Sequence, residues 1–154
     1  MGYTNLDIEG NVLGNLTGDV TGDLTGDVTG NISGDVNVIA IKVEDRVPTV
    51  TGATTGTISA GTTFVNVTSA GADNIIILPA PVVGLKITLI NNATGYELRS
   101  SAPATIGING GTGASAESAV AASVIVKVEC VSATNWIGSV VSAAGVVTVL
   151  EVAS

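Results

Sequence analysis

Seven tetrapeptides follow one another without a break from Gly10 to Asn37: GNVL, GNLT, GDVT, GDLT, GDVT, GNIS and GDVN. Each opens on Gly, continues with Asn or Asp, then Val, Leu or Ile, and most close on Thr or Ser. Asp7-Ile8-Glu9 reads as one degenerate unit ahead of them. So short and regular a period excludes most folds. Collagen needs Gly at every third residue. An α-helix would carry seven glycines at about 1 kcal/mol each, with β-branched residues throughout. An extended chain fits, because its side chains alternate between two faces. One face then carries Gly10, Val12, Gly14, Leu16, Gly18, Val20, Gly22, Leu24, Gly26, Val28, Gly30, Ile32, Gly34 and Val36. The other carries Asn11, Leu13, Asn15, Thr17, Asp19, Thr21, Asp23, Thr25 and onward, and is almost wholly polar.

One strand of this kind has no partner for its backbone groups or its aliphatic row. Copies from other subunits can supply both, with an aliphatic side chain of one chain filling the space above a glycine of the next. Three chains closing around an axis leave no open strand edge. We therefore expect an extended oligomerisation arm that packs along the Gly10 to Val36 face in a homotrimer. Fully extended it would reach about 90 Å at about 3.3 Å per residue. Glycine also allows bends, so a wound form is equally open. A flexible linker needs no apolar period, which argues against that plainer alternative. Asp beside Gly suggests calcium-binding repeats, but those have a nine-residue spacing that this period lacks. The Asn-X-Ser/Thr triplets at Asn15, Asn31, Asn66 and Asn92 match a glycosylation pattern and are read as by-products of composition.

Composition points the same way. The chain has 154 residues, of which 45% are hydrophobic and 12% charged, and its mean hydropathy is +0.57. A chain this short cannot hide so much apolar area in one small core, so burial between subunits is the natural outlet. Apolar runs such as Ile75–Leu78, Val124–Val128 and Val146–Leu150 are far shorter than the roughly 18 residues that a membrane span requires. Met1-Gly2-Tyr3-Thr4-Asn5-Leu6 has neither a basic residue nor an apolar stretch, and Leu6 stands where myristoylation would want Ser or Thr. With one cysteine, Cys130, read as a small buried hydrophobe, the chain is expected to be made in a reducing cytoplasm. Net charge is −8, and the segment 1–37 holds six acids and no base. No basic patch exists for a phosphate backbone, so nucleic-acid binding is rejected, as is a membrane partner.

The stretch GNLTGDVTGDLTGDVTG, Gly14 to Gly30, resembles runs found in structural proteins of tailed bacteriophages, both tail fibres and small virion proteins. Asn74 to Ile90, NIIILPAPVVGLKITLI, is similar to a segment of phage capsid decoration proteins, in which one strand ends in Leu-Pro and the next begins after Gly-Leu. The two stretches cover about a third of the chain and bring no catalytic residues with them. The resemblance implies a capsid decoration, or cement, protein on the outer head surface of the virion, made in the host bacterium's cytoplasm. It would bind the major capsid protein and bridge neighbouring capsid subunits. The alternative is a tail-fibre or receptor-binding protein, with the arm as shaft and other tail proteins or a host surface receptor as partners.

Behind the arm, residues 38–50 form a connecting strand, Val38–Val43, and a hinge at Glu44-Asp45-Arg46 and Pro48. Residues 51–154 read as short strands between Gly, Pro and Asn signals. They are expected near Gly56–Ser59, Thr62–Thr68, Asn74–Leu78, Leu85–Asn91, Tyr96–Ser100, Thr105–Ile108, Ser123–Val131, Trp136–Val141 and Val146–Val152, with a loop at Gly110–Ser118. No segment has a capped helical period. The expected class is all-β, a small β-sandwich or jelly-roll-like body carrying the extended arm. Trp136 is expected to anchor the core or a subunit contact.

Catalysis has little to work with. Without His there is no Ser-His or Cys-His pair and no His-centred metal site. Two carboxylates suffice for a glycosidase, but Glu44, Asp45, Asp73, Glu97, Glu117, Glu129 and Glu151 are scattered, and aromatic residues are too few to stack on sugars. Gly107-Ile108-Asn109-Gly110-Gly111 lacks the Lys-Ser/Thr of a phosphate loop. We expect no enzyme activity, no cofactor and no metal.

The glycine row generates the first prediction. Replacing Gly22 and Gly26 by Val should make residues 10–37 markedly easier to cut in limited proteolysis, whereas the same change at Thr21 and Thr25 should be mild. Equal susceptibility of the two variants would mean that the row packs against nothing.

Overall fold

The computed structural model describes residues 42–52 and 54–154. The repeat row from Gly10 to Val36 and most of the expected strand Val38–Val43 lie outside the described residues. Among those described there is no helix, and the chain is all-β. Ten strands follow in order: β1 Val43–Arg46, β2 Phe64–Val67, β3 Ile75–Ile77, β4 Lys86–Asn91, β5 Tyr96–Arg99, β6 Gly107–Ile108, β7 Glu117–Val120, β8 Ile125–Ser132, β9 Asn135–Val141 and β10 Val147–Val149. They form two sheets. The larger has the order β1-β2-β4-β8-β9-β10, with β6 also pairing β9, and the smaller has the order β3-β5-β7.

Both sheets turn their apolar sides to one shared core. Alternation in the sequence decides which residues go in. In β4, Ile87, Leu89 and Asn91 point inward while Lys86, Thr88 and Ile90 point out. In β8, Val126, Val128 and Cys130 are buried between Lys127, Glu129 and Val131. The smaller sheet contributes Ile76, Tyr96, Leu98 and Val120. Trp136, with no exposed surface, sits in this core together with Ile108 and Leu150. Each fully buried Val, Leu or Ile is worth roughly 1.5–3 kcal/mol relative to exposure.

The connectivity was not anticipated from the strand pattern. β1, β2 and β4 are parallel neighbours, with Val43 beside Phe64 and Phe64 beside Thr88. The opposite sheet repeats this: Thr57 bridges Ile77 in parallel, and Ile77 lies beside Arg99 of β5. The chain thus winds as successive coils of roughly 20–24 residues, each laying one segment on the larger sheet and one on the smaller. Parallel neighbours need a crossover of a dozen or more residues. Here the crossover is the strand of the other sheet. Antiparallel strands finish the structure: β8 pairs β4, β9 pairs β8, β10 pairs β9, and β7 pairs β5.

Most strand positions agree with the sequence pattern, and three do not. Glu44, Asp45 and Arg46, expected at a hinge, lie in β1, because pairing with β2 outweighs their poor strand propensity. Glu117 and Ser118, expected in a loop, begin β7, held by β5 through Leu98 beside Ser118 and Arg99 beside Glu117. Gly56–Ser59 contributes only the single bridge at Thr57.

Chain segments after β9 close the end of the core. The Leu150 side chain packs on Gly138, where an added Cβ would stand 2.6 Å from it. Gly111 lies so close to the backbone of Ala153 that no side chain fits there. Asn109, at a φ of 52°, latches these pieces together. Its Oδ1 accepts from the Gly138 N–H at 2.8 Å, and its Nδ2 donates to the carbonyls of Leu150 and Gly138. Asn109→Ala takes the side-chain partner from the Gly138 N–H and the Leu150 carbonyl, while the Gly138 carbonyl keeps the Leu150 N–H, and should lower unfolding stability by about 2 kcal/mol, measured in urea. Gly111→Ala should detach the segment around Ala153, visible as faster amide exchange at Ala153 and Ser154.

Candidate functional site

The acidic residues that the sequence offered as chemistry do structural work. Glu44 points inward from β1, at the level of Val65 on β2. Its carboxylate accepts hydrogen bonds from Arg46 Nε and the Ser59 N–H, both at 3.1 Å, and pairs with Lys42 at 3.3 Å. Arg46 also donates to the Ser59 hydroxyl at 3.0 Å. Burial alone would raise the Glu44 carboxyl, but the bonds from Ser59 and Arg46 outweigh it and hold it at about 2. Among the described residues β1 is the outer strand of its sheet, and the inward ion pair ends the apolar row there. Arg99 pairs with Glu117 at 2.6 Å across β5 and β7. Beside them, burial and the negative charges of Glu117, Glu151 and Asp73 push the Glu97 carboxyl up from its ordinary value. Glu151 accepts from the Ala119 N–H at 2.8 Å, fixing chain that follows β10 to β7.

No group of three or more His, Cys, Asp or Glu among the described residues is placed to hold a metal ion. Cys130 is buried, its thiol donating to the Ser132 carbonyl at 3.2 Å, as expected of a small hydrophobe. Asn92, one of the glycosylation-pattern residues, spends its side chain on Ser69 in the neighbouring coil, donating to the carbonyl at 3.1 Å and accepting from the N–H at 3.2 Å. Asn66 donates to Asp45 at 2.9 Å.

The feature left over is a surface. On the outer face of the larger sheet, Val131 of β8 and Ile137 of β9 stand exposed, Ile137 by 47%. β10 extends the patch: Val147 lies beside Val141, and Val149 beside Ser139, with 65% and 75% of their surfaces in solvent. A shallow groove of about 480 Å³ runs along the same face, lined by Lys86, Thr88, Lys127, Glu129, Val131 and Ile137. Lys86 meets Glu129 at 3.5 Å across β4 and β8, and both side chains remain largely in water. Sequence reasoning missed this patch. The run Val146–Leu150 is aliphatic except for Thr148, and only the pairing with β9 shows that Leu150 goes in while Val147 and Val149 stay out. The one available signal was the apolar surplus of the whole chain.

The chain was also compared with protein-family models, curated proteins and solved structures, and none matched.

Glu44 yields a prediction for pH. A carboxylate held below its ordinary value contributes stability that is present above pH 4.5 and lost as the pH falls through about 2. Glu44→Gln should therefore be less stable than the parent at pH 7, and the difference should shrink steadily below pH 4.5. Thermal unfolding of both proteins at pH 7, 4 and 2.5 measures it, and a gap that stays constant with pH would show that the charge of Glu44 contributes nothing.

Proposed function

We propose that this chain is a structural component of a tailed-bacteriophage particle: a homotrimeric decoration protein that sits on the outer head surface and cements neighbouring capsid subunits. The observation that carries the reading is the pair of phage-like stretches, the Gly14–Gly30 repeat and the Asn74–Ile90 segment. The local structure of the second supports it. β3 ends at Ile77, just before Leu78-Pro79, and β4 starts at Lys86, directly after Gly84-Leu85. Gly84 has a φ of +88°, a conformation that favours glycine, which turns the chain into the new strand.

The character of the body fits a structural role. Glu44, Arg46, Arg99, Glu117 and Glu151 are engaged in ion pairs and backbone hydrogen bonds that hold strands together. The body also leaves aliphatic side chains exposed on the outer face of the larger sheet. A net charge of −8 suits an outer surface better than the DNA-facing interior. A ligand that binds only the assembled shell stabilises it by RT ln(1 + [L]/Kd), about 2.7 kcal/mol per site at a hundredfold excess over Kd. Repeated over a lattice of sites, modest affinity is enough.

Particles made without this protein should assemble, yet release their DNA at a lower temperature, and adding the purified protein back should restore heat resistance. The measurement is DNA release against temperature, with host adsorption assayed in parallel. Heads of normal heat resistance that no longer adsorb would instead make the chain a tail-fibre or receptor-binding protein.

A further inference from the structure

We infer that the outer face of the larger sheet, centred on Ile137 and Val149, is the surface through which the bodies of neighbouring copies of this chain meet. The inference rests on the homotrimer reading above and assigns that contact a place.

Three observations select a second copy as the occupant. The first is the shape and chemistry of the patch. Ile137, Val131, Val147 and Val149 lie on adjoining strands on one side of the sheet, so they form a continuous aliphatic strip. Isolated exposed valines are ordinary, but a contiguous strip rimmed by polar residues marks a contact surface.

The second is charge. The chain carries net −8, so two copies repel each other at long range. Of its five bases, Lys42 and Arg46 are held by Glu44, and Arg99 by Glu117. The remaining two, Lys86 and Lys127, both lie on this face, with Glu129 as the acid between them. The groove is thus locally positive on an acidic molecule, and Lys127 has no ion pair among the described residues. A carboxylate from another copy is the natural complement. Lys127 and Glu129 stand two residues apart on one side of β8, so around a three-fold axis each copy can offer Lys127 to one neighbour and Glu129 to the other.

The third is size. The outer side of β4, β8, β9 and β10 spans roughly 20 Å by 25 Å at the usual strand spacing and rise. That is a large share of the roughly 800 Å² per partner that a stable contact buries. Three such faces turned toward a common axis would bury the strip in a closed assembly without leaving it to recruit further copies.

The test is the oligomeric state of the full chain by sedimentation velocity. Ile137→Glu and Val149→Glu replace exposed side chains and should loosen the trimer, raising the concentration at which it dissociates by tenfold or more, with circular dichroism and unfolding temperature reporting that the body is intact. Val50→Glu, at an exposed residue beside the Thr49 bridge to the smaller sheet, should leave that concentration unchanged. Folded Ile137→Glu and Val149→Glu proteins whose trimer dissociates at the parent's concentration would overturn the assignment of the face while leaving the trimer standing. A monomeric parent would overturn both. If either glutamate variant fails to fold, Lys127→Glu decides: weakening of assembly by tenfold or more at low salt supports the face, and unchanged assembly overturns it.

Discussion

One row of inward side chains crosses five strands of the larger sheet at a single level: Glu44, Val65, Leu89, Val126 and Val140. Four are aliphatic, and their burial against the smaller sheet holds the coils together. The fifth is a carboxylate, clamped by Arg46 and Ser59. The row therefore states how the coils cohere, and among the described residues it ends on charge. The apolar core grows from the β8–β9 hairpin through β4 and β2, and at β1 it meets charge. A coiled architecture of this kind adds layers by repeating the same inward pattern, so ending it requires a layer that breaks the pattern. Glu44 and Arg46 do so within a regular strand.

How much of this was legible in the sequence depended on whether a residue's partner was local. β4 and β8 could be placed because strict alternation, as in Lys86-Ile87-Thr88-Leu89, has only one good explanation. The all-β class followed from the same kind of pattern, and of the two places expected for Trp136, the core or a subunit contact, the structure shows the core. β7 was lost because Glu117-Ser118-Ala119-Val120 has almost no strand propensity of its own and exists through its pairing with β5. β1 was lost for the related reason that its charges look like a surface turn until β2 is laid beside it. The parallel winding could not be read at all, since nothing local distinguishes Phe64 beside Thr88 from any other register. The outer face was invisible in the same way: Val149 and Leu150 are neighbours of similar chemistry, and only the position of β9 separates them.

The body and the repeat segment divide the sequence's demands between them. The repeats are rich in Asp and Thr, with an aliphatic residue in every unit, and call for partners along a line. The body pairs its strands in two sheets around one core, and part of the aliphatic surface it leaves exposed lies on the outer face of the larger sheet.

The closure by Leu150, Ala153 and Glu151 has a consequence for the order of events during synthesis. The coils of β1 to β5 draw on chain that emerges early. Their core is sealed on one side by Leu150 resting on Gly138, and β7 is secured by Glu151 and by paired hydrogen bonds between Glu117 and Ser154. These groups follow every coil in chain order. Until they emerge the aliphatic interior is open at one end, so closure waits for residues that come after all the coils. A nascent chain truncated before Leu150 would present that open interior to the cell as a surface for chaperones.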